Sequence, residues 1–131
     1  MSEISVPKAL KTWFVIHFAA DILFAVPLMF FPVAFLQMLG WEVVDPVAAR
    51  IAAAALFGIG IESFLGRNAP VSTFKGMLRL KIIWSAAAIL GFALSLLQGA
   101  QGRPVALWLV LLIFVAFNVL WVYWLRRIKR L

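Results

Sequence analysis

Four long apolar stretches dominate this chain, and they restrict it to very few folds. They run from about Trp13 to Phe31, Val47 to Leu65, Leu80 to Leu97 and Val105 to Leu125. Each is close to the roughly 20 residues that carry a helix across a bilayer core. In hydrocarbon every backbone N–H and C=O must be paired inside the protein, so such stretches span as helices. With 66% of its residues hydrophobic, 13% charged and a mean hydropathy of +1.07, the chain lacks the polar surface that a soluble domain of this size needs. The expectation is an all-α fold: a single domain over residues 1–131 forming an integral membrane four-helix bundle. The first stretch reads as a span rather than a cleaved leader, because it is long and is followed by Pro32 and large residues instead of a small-residue cleavage site.

Residues at the edges of these stretches support the same limits. Asp45-Pro46 supplies an N-cap followed by proline at the first helical position, and Gly66, Asn68 and Pro70 end that helix. Ser72 or Thr73 is placed to cap a turn leading into the third span, Gln98 to Gly102 forms a tight polar connector, and Pro104 opens the fourth. The segment after the first span is longer than one crossing needs and shorter than two. Pro32 marks a kink or an end there, and Val33 to Leu39 reads as a short helix in the outer interface. A single long, tilted first helix is the alternative.

Basic residues set the expected orientation. Lys8 and Lys11 precede the first span; Arg67, Lys75, Arg79 and Lys81 lie between the second and third; Arg126, Arg127, Lys129 and Arg130 follow the fourth. That is ten of the twelve, with Arg50 and Arg103 on the opposite side. By the positive-inside rule both termini are expected to be cytoplasmic, in a cell inner membrane. The net charge of +7 is thus a topology signal with a contribution from anionic lipid, and nucleic acid is not an expected partner. Trp13, Trp84, Trp121, Tyr123 and Trp124 fall near the inner boundary, Trp41 and Trp108 near the outer one.

Polar residues inside the spans are few: His17, Asp21, Glu62, Ser63, Lys81, Ser85 and Asn118. Charge facing lipid costs roughly 2.5–3.5 kcal/mol on insertion scales, so each is a candidate for function. All seven fall in the half of the membrane nearer the termini. Helical spacing puts Trp13, His17 and Asp21 on one face, Ala54, Gly58 and Glu62 on another, and Lys81, Ser85 and Ala88 on a third. Turned inward, these faces make a polar pocket open towards the cytoplasm, with Lys81 neutralising Glu62 and His17 hydrogen-bonded to Asp21. The candidate ligand-binding residues are His17, Asp21, Glu62, Lys81, Ser85 and Asn118; Ala54, Gly58 and Gly60 are the candidate packing residues. Structural readings compete: Glu62 and Lys81 can snorkel to the interface, His17 and Asp21 can simply satisfy each other, and Asn118 can serve as interhelical glue. Asp21 is the hardest to explain this way, since it lies too deep to reach water without a cavity or partner.

No catalytic motif is present, so the chain is not expected to be an enzyme. With no cysteine and one histidine, no metal site and no cofactor are expected. The layout has prolines late in the first helix and an arginine opening a small-residue-rich second helix (Ala48-Ala49-Arg50-Ile51-Ala52). In the third, Arg79-Leu80-Lys81 leads into Ala86-Ala87-Ala88-Ile89-Leu90-Gly91. It resembles the DoxX-like small four-helix membrane proteins of bacteria, which include families of unknown function. The resemblance is one of layout over most of the chain, and it implies the four-helix fold. Some members are associated with terminal-oxidase or thiosulfate-oxidising complexes, but their redox residues do not map onto this sequence. The expected function is non-catalytic: an accessory subunit of a larger membrane complex, or a binder of a hydrophobic or amphipathic small molecule. The alternative is a homodimeric proton-coupled transporter or exporter using Asp21 or Glu62.

Overall fold

The computed structural model describes residues 4–131; the first three residues lie outside it. Five α-helices follow one another: α1 (Lys8–Phe30), α2 (Pro32–Met38), α3 (Pro46–Leu65), α4 (Val71–Gln98) and α5 (Val105–Lys129), with 3-10 turns at Gly66–Asn68 and Ala100–Gly102. All but α2 are long and apolar enough to cross a membrane, from about 30 Å for α3 to about 42 Å for α4 at 1.5 Å per residue. The chain is a multi-pass helical membrane protein. Large side chains such as Leu23, Leu90 and Leu112 stand exposed on its outer surface, an arrangement that hydrocarbon tolerates and water does not.

Local chemistry accounts for most boundaries. Asp45 caps α3 by accepting from the N–H groups of Val47 (2.9 Å) and Ala48 (3.3 Å), with Pro46 in the first turn. Phe31, at φ −135°, ends α1, and Pro32 opens α2, so a short separate helix replaces one long first helix. Gly99 closes α4 in the left-handed conformation at φ 68°, a geometry that glycine adopts without a Cβ penalty. The two basic residues at the end remote from the termini have structural roles. Arg50 Nε donates to the Met29 carbonyl at the end of α1 (3.0 Å), and Arg103 Nε to the Leu96 carbonyl at the end of α4 (2.7 Å). Each thereby meets carbonyls that a helix C-terminus leaves free and sits favourably in the helix dipole.

One boundary departs clearly from the sequence reading. α4 starts at Val71 rather than near Leu80, Pro70 stands at its N-cap, and neither Ser72 nor Thr73 provides a side-chain cap. The early turns are amphipathic: Phe74, Met77 and Leu78 are buried while Arg79 is exposed. Charged residues in that stretch lower its hydropathy without breaking its helical spacing. Lys81 therefore sits roughly 15 Å along a continuous helix, not at its entrance.

The bundle is built from two helix pairs, α1 against α3 and α4 against α5. At the end carrying the termini they are joined by a core that includes Leu10, Phe14, Phe74, Leu78, Trp121 and Ile128. Phe14 packs on Phe74 at 4.6 Å and edge-on to Trp121 at 5.6 Å. Trp121 and Trp124, expected at the interface, are instead core residues. At the other end Leu28, Ala49 and Ala53 pack with α2 residues Phe35 and Leu36. The two connecting loops there are linked by the Val43 N–H donating to Gln101 Oε1 (3.0 Å).

The packing face of α3 is Ala49, Ala53, Gly60 and Ser63, all buried. Ala54 and Gly58 are exposed, and a Cβ added at Gly58 would meet nothing within 4 Å. Of the expected packing stripe, Gly60 lies on this buried face, while Ala54 and Gly58 lie off it. Helices that are apolar all round offer two plausible small-residue faces, and the inward one is selected by contact with α1.

Candidate functional site

Six of the polar residues inside the spans converge between the two helix pairs. Lys81 is their centre and is 2% exposed. Its Nζ donates to Ser63 Oγ on α3 and to His17 Nδ1 on α1 (2.8 Å). Two aromatic rings enclose the same ammonium, Phe14 at 4.8 Å and Trp121 at 5.2 Å, within reach of a cation–π attraction. Ser85, one turn further along α4, donates to the Lys81 carbonyl (2.7 Å). Asn118 on α5 donates to Ser85 Oγ (2.8 Å) and to the Ile82 carbonyl (3.2 Å), which ties α5 to α4.

The histidine tautomer follows from Lys81. An ammonium group has only donors, so His17 Nδ1 must accept and the ring proton lies on Nε2. Asp21 Oδ2 approaches the same Nδ1 at 3.4 Å. With that lone pair already engaged, this contact is a close approach of two acceptors rather than a hydrogen bond. Asp21 Oδ2 is buried and has no hydrogen-bond partner. The expected His17–Asp21 pairing is therefore replaced by His17–Lys81. Asp21 is held against α3 at Gly60, where even an added Cβ would come within 2.7 Å of Asp21 Cβ.

Glu62 does not join the cluster. It is exposed on α3, while the adjacent Ser63 points inward and takes the contact with Lys81 expected of Glu62. One residue on an α-helix turns the side chain by about 100°, enough to exchange the cluster for the outer surface. Ser63 was visible in the sequence as a polar residue inside a span, but its charged neighbour was the stronger candidate by residue type alone.

Beside the cluster lies a cavity of about 310 Å³, at the lower end of the roughly 300–1,000 Å³ typical of small-molecule sites. His17, Asp21, Lys81 and Ser85 line one end of it; the rest is apolar, with Phe24, Phe114 and Phe117 along the walls and Phe35, Leu39 and Trp41 at the end formed by α2 and the turn that follows it. Phe14, Phe74 and Trp121 form a packed layer on the termini side of the cluster. The cavity therefore extends from the polar end away from the termini, whereas the sequence reading opened it towards them.

These features define a class: a helical membrane protein of four spans, with a cavity between its helix pairs that is polar at one end and aromatic along its length. No family model matches the chain, and comparisons with curated proteins and with solved structures likewise return no match. No group of three or more histidine, cysteine or acidic residues is arranged to hold a metal ion among the described residues.

Proposed function

We propose that the protein binds an amphipathic small molecule within the bundle, its polar head at His17, Asp21 and Lys81 and its apolar part along the aromatic walls. The observation that carries this reading is the buried, unpartnered Asp21 Oδ2 at the polar end of the cavity. A buried acceptor left without a donor costs about 1–3 kcal/mol, a cost that a ligand relieves on binding. Native mass spectrometry of the intact chain released from its own membrane tests this. The wild type is expected to carry a lipophilic adduct, and Ala88→Phe, which fills the cavity wall on α4, to lose it. Wild-type chain without adduct, but with a further subunit attached, would replace this reading with that of an accessory subunit.

The proposed orientation puts both termini in the cytoplasm, in a cell inner membrane. Three basic segments on one side of an even number of spans support it. Single cysteines introduced at Ser72 and Gln101, which lie at opposite ends of α4 and are exposed, provide the check. Ser72→Cys is expected to react with an impermeant thiol reagent only from the cytoplasmic side, and Gln101→Cys only from outside. The reverse pattern would invert the topology, and reaction of both from one side would break the four-span arrangement.

A further inference from the structure

The cluster also restricts the chemistry of the head group, given the ligand-binding reading above. We infer that the site takes a neutral hydroxyl-bearing amphiphile, an alcohol or phenol with an apolar body, and discriminates against charged heads.

Two features support this. The first is the hydrogen-bond inventory. Asp21 Oδ2 is 93% removed from solvent with its residue (7% exposed) and lacks a donor, and a carboxylate oxygen can only be satisfied by one. Lys81 does not supply it: its ammonium donates to His17 and Ser63 and faces two rings, and no hydrogen bond joins it to Asp21 Oδ2. An ether or ester head brings acceptors alone and leaves the orphan in place. A hydroxyl brings the missing proton.

The second feature is charge balance. The buried cluster holds one acidic and one basic side chain, Asp21 and Lys81, with a histidine that accepts from the lysine. Glu62, the remaining acidic residue in the spans, is on the outer surface. A carboxylate ligand would leave an uncompensated negative charge at the buried, apolar-walled end of this cavity and an ammonium ligand a positive one, and uncompensated buried charge is strongly unfavourable. A neutral donor satisfies Asp21 without disturbing that balance. The length of the slot sets the body: from Asp21 to Leu28 on α1, both lining the cavity, is about 10 Å along the helix, which suits a medium alkyl chain.

The test compares 1-octanol, heptyl methyl ether, octanoate and octylammonium on the full chain in lipid nanodiscs. The readout is intrinsic tryptophan fluorescence, since Trp41, Trp84 and Trp121 line the cavity; empty discs and the Ala88→Phe protein serve as blanks. Octanol is expected to bind saturably and about tenfold or more tightly than each of the other three, as expected when a buried acceptor is left unpaired. In Asp21→Leu the preference of octanol over the ether is expected to disappear. The ether matching octanol on the wild type, or octylammonium or octanoate exceeding it, would overturn the hydroxyl assignment while leaving an amphiphile site intact. Absence of saturable binding by all four would overturn the amphiphile site and this inference together. The four-ligand comparison is made on unaltered protein, so it stands even if Asp21→Leu does not fold.

Discussion

Gly60→Ala is expected to destabilise the bundle by about 1–3 kcal/mol, and Gly60→Leu to prevent the folded state from accumulating. A Cβ at position 60 would stand 2.7 Å from Asp21 Cβ and 3.2 Å from its Oδ2, against the roughly 3.5–4.0 Å at which carbon atoms pack. The nearer neighbour is not the free end of a flexible chain, because Asp21 Cβ is fixed to the backbone of α1. α1 and α3 must move apart along their main contact, and the packing of Ala53 with Leu28 goes with it. The matched control is Gly58→Ala two residues away, expected to be neutral because nothing lies within 4 Å of its added carbon. Thermal unfolding of the three proteins in one detergent measures the difference; equal midpoints for Gly58→Ala and Gly60→Ala would place both glycines on the lipid face.

Lys81→Met is expected to be the most damaging change within the cluster, by about 3–5 kcal/mol, because it leaves the Asp21 carboxylate buried without a counter-charge. It also removes the donor that His17 Nδ1 and Ser63 Oγ share. Replacing both charged partners by apolar groups of similar shape is often tolerated, so Lys81→Met with Asp21→Leu is expected to recover most of the loss. The double-mutant cycle then gives a coupling well above the roughly 0.3–0.5 kcal/mol within which independent sites add. Additive losses would mean that the two residues do not share an environment.

Both experiments depend on features only partly legible in the sequence. The spans, the Asp45-Pro46 cap of α3 and the break at Pro32 were readable because capping and proline chemistry act locally, whatever surrounds them. Convergence of His17, Asp21, Ser85 and Asn118 followed from the half of the membrane they share. Which face of α3 turns inward was not readable. In lipid the outer surface is as apolar as the core, so periodicity does not separate Ala54 and Gly58 from Ala53 and Gly60. The choice of Ser63 over Glu62 followed from the same ambiguity. The partner of His17 was hidden for another reason: Asp21 is one turn away in the chain, whereas Lys81 reaches His17 only once α4 begins at Val71 and brings it deep into the bundle.

That separation along the chain has a consequence for synthesis. Lys81 follows His17 by 64 residues, and at roughly 5–20 residues per second the ribosome needs about 3–13 s to make the intervening segment. Both large helix interfaces, α1 with α3 and α4 with α5, join neighbouring spans, so the first pair has its partners before α4 emerges. During that interval Asp21 is in place without the lysine that balances it. The first half therefore holds a carboxyl whose basic partner arrives only with the second half, so until then that carboxyl must stay protonated or hydrated.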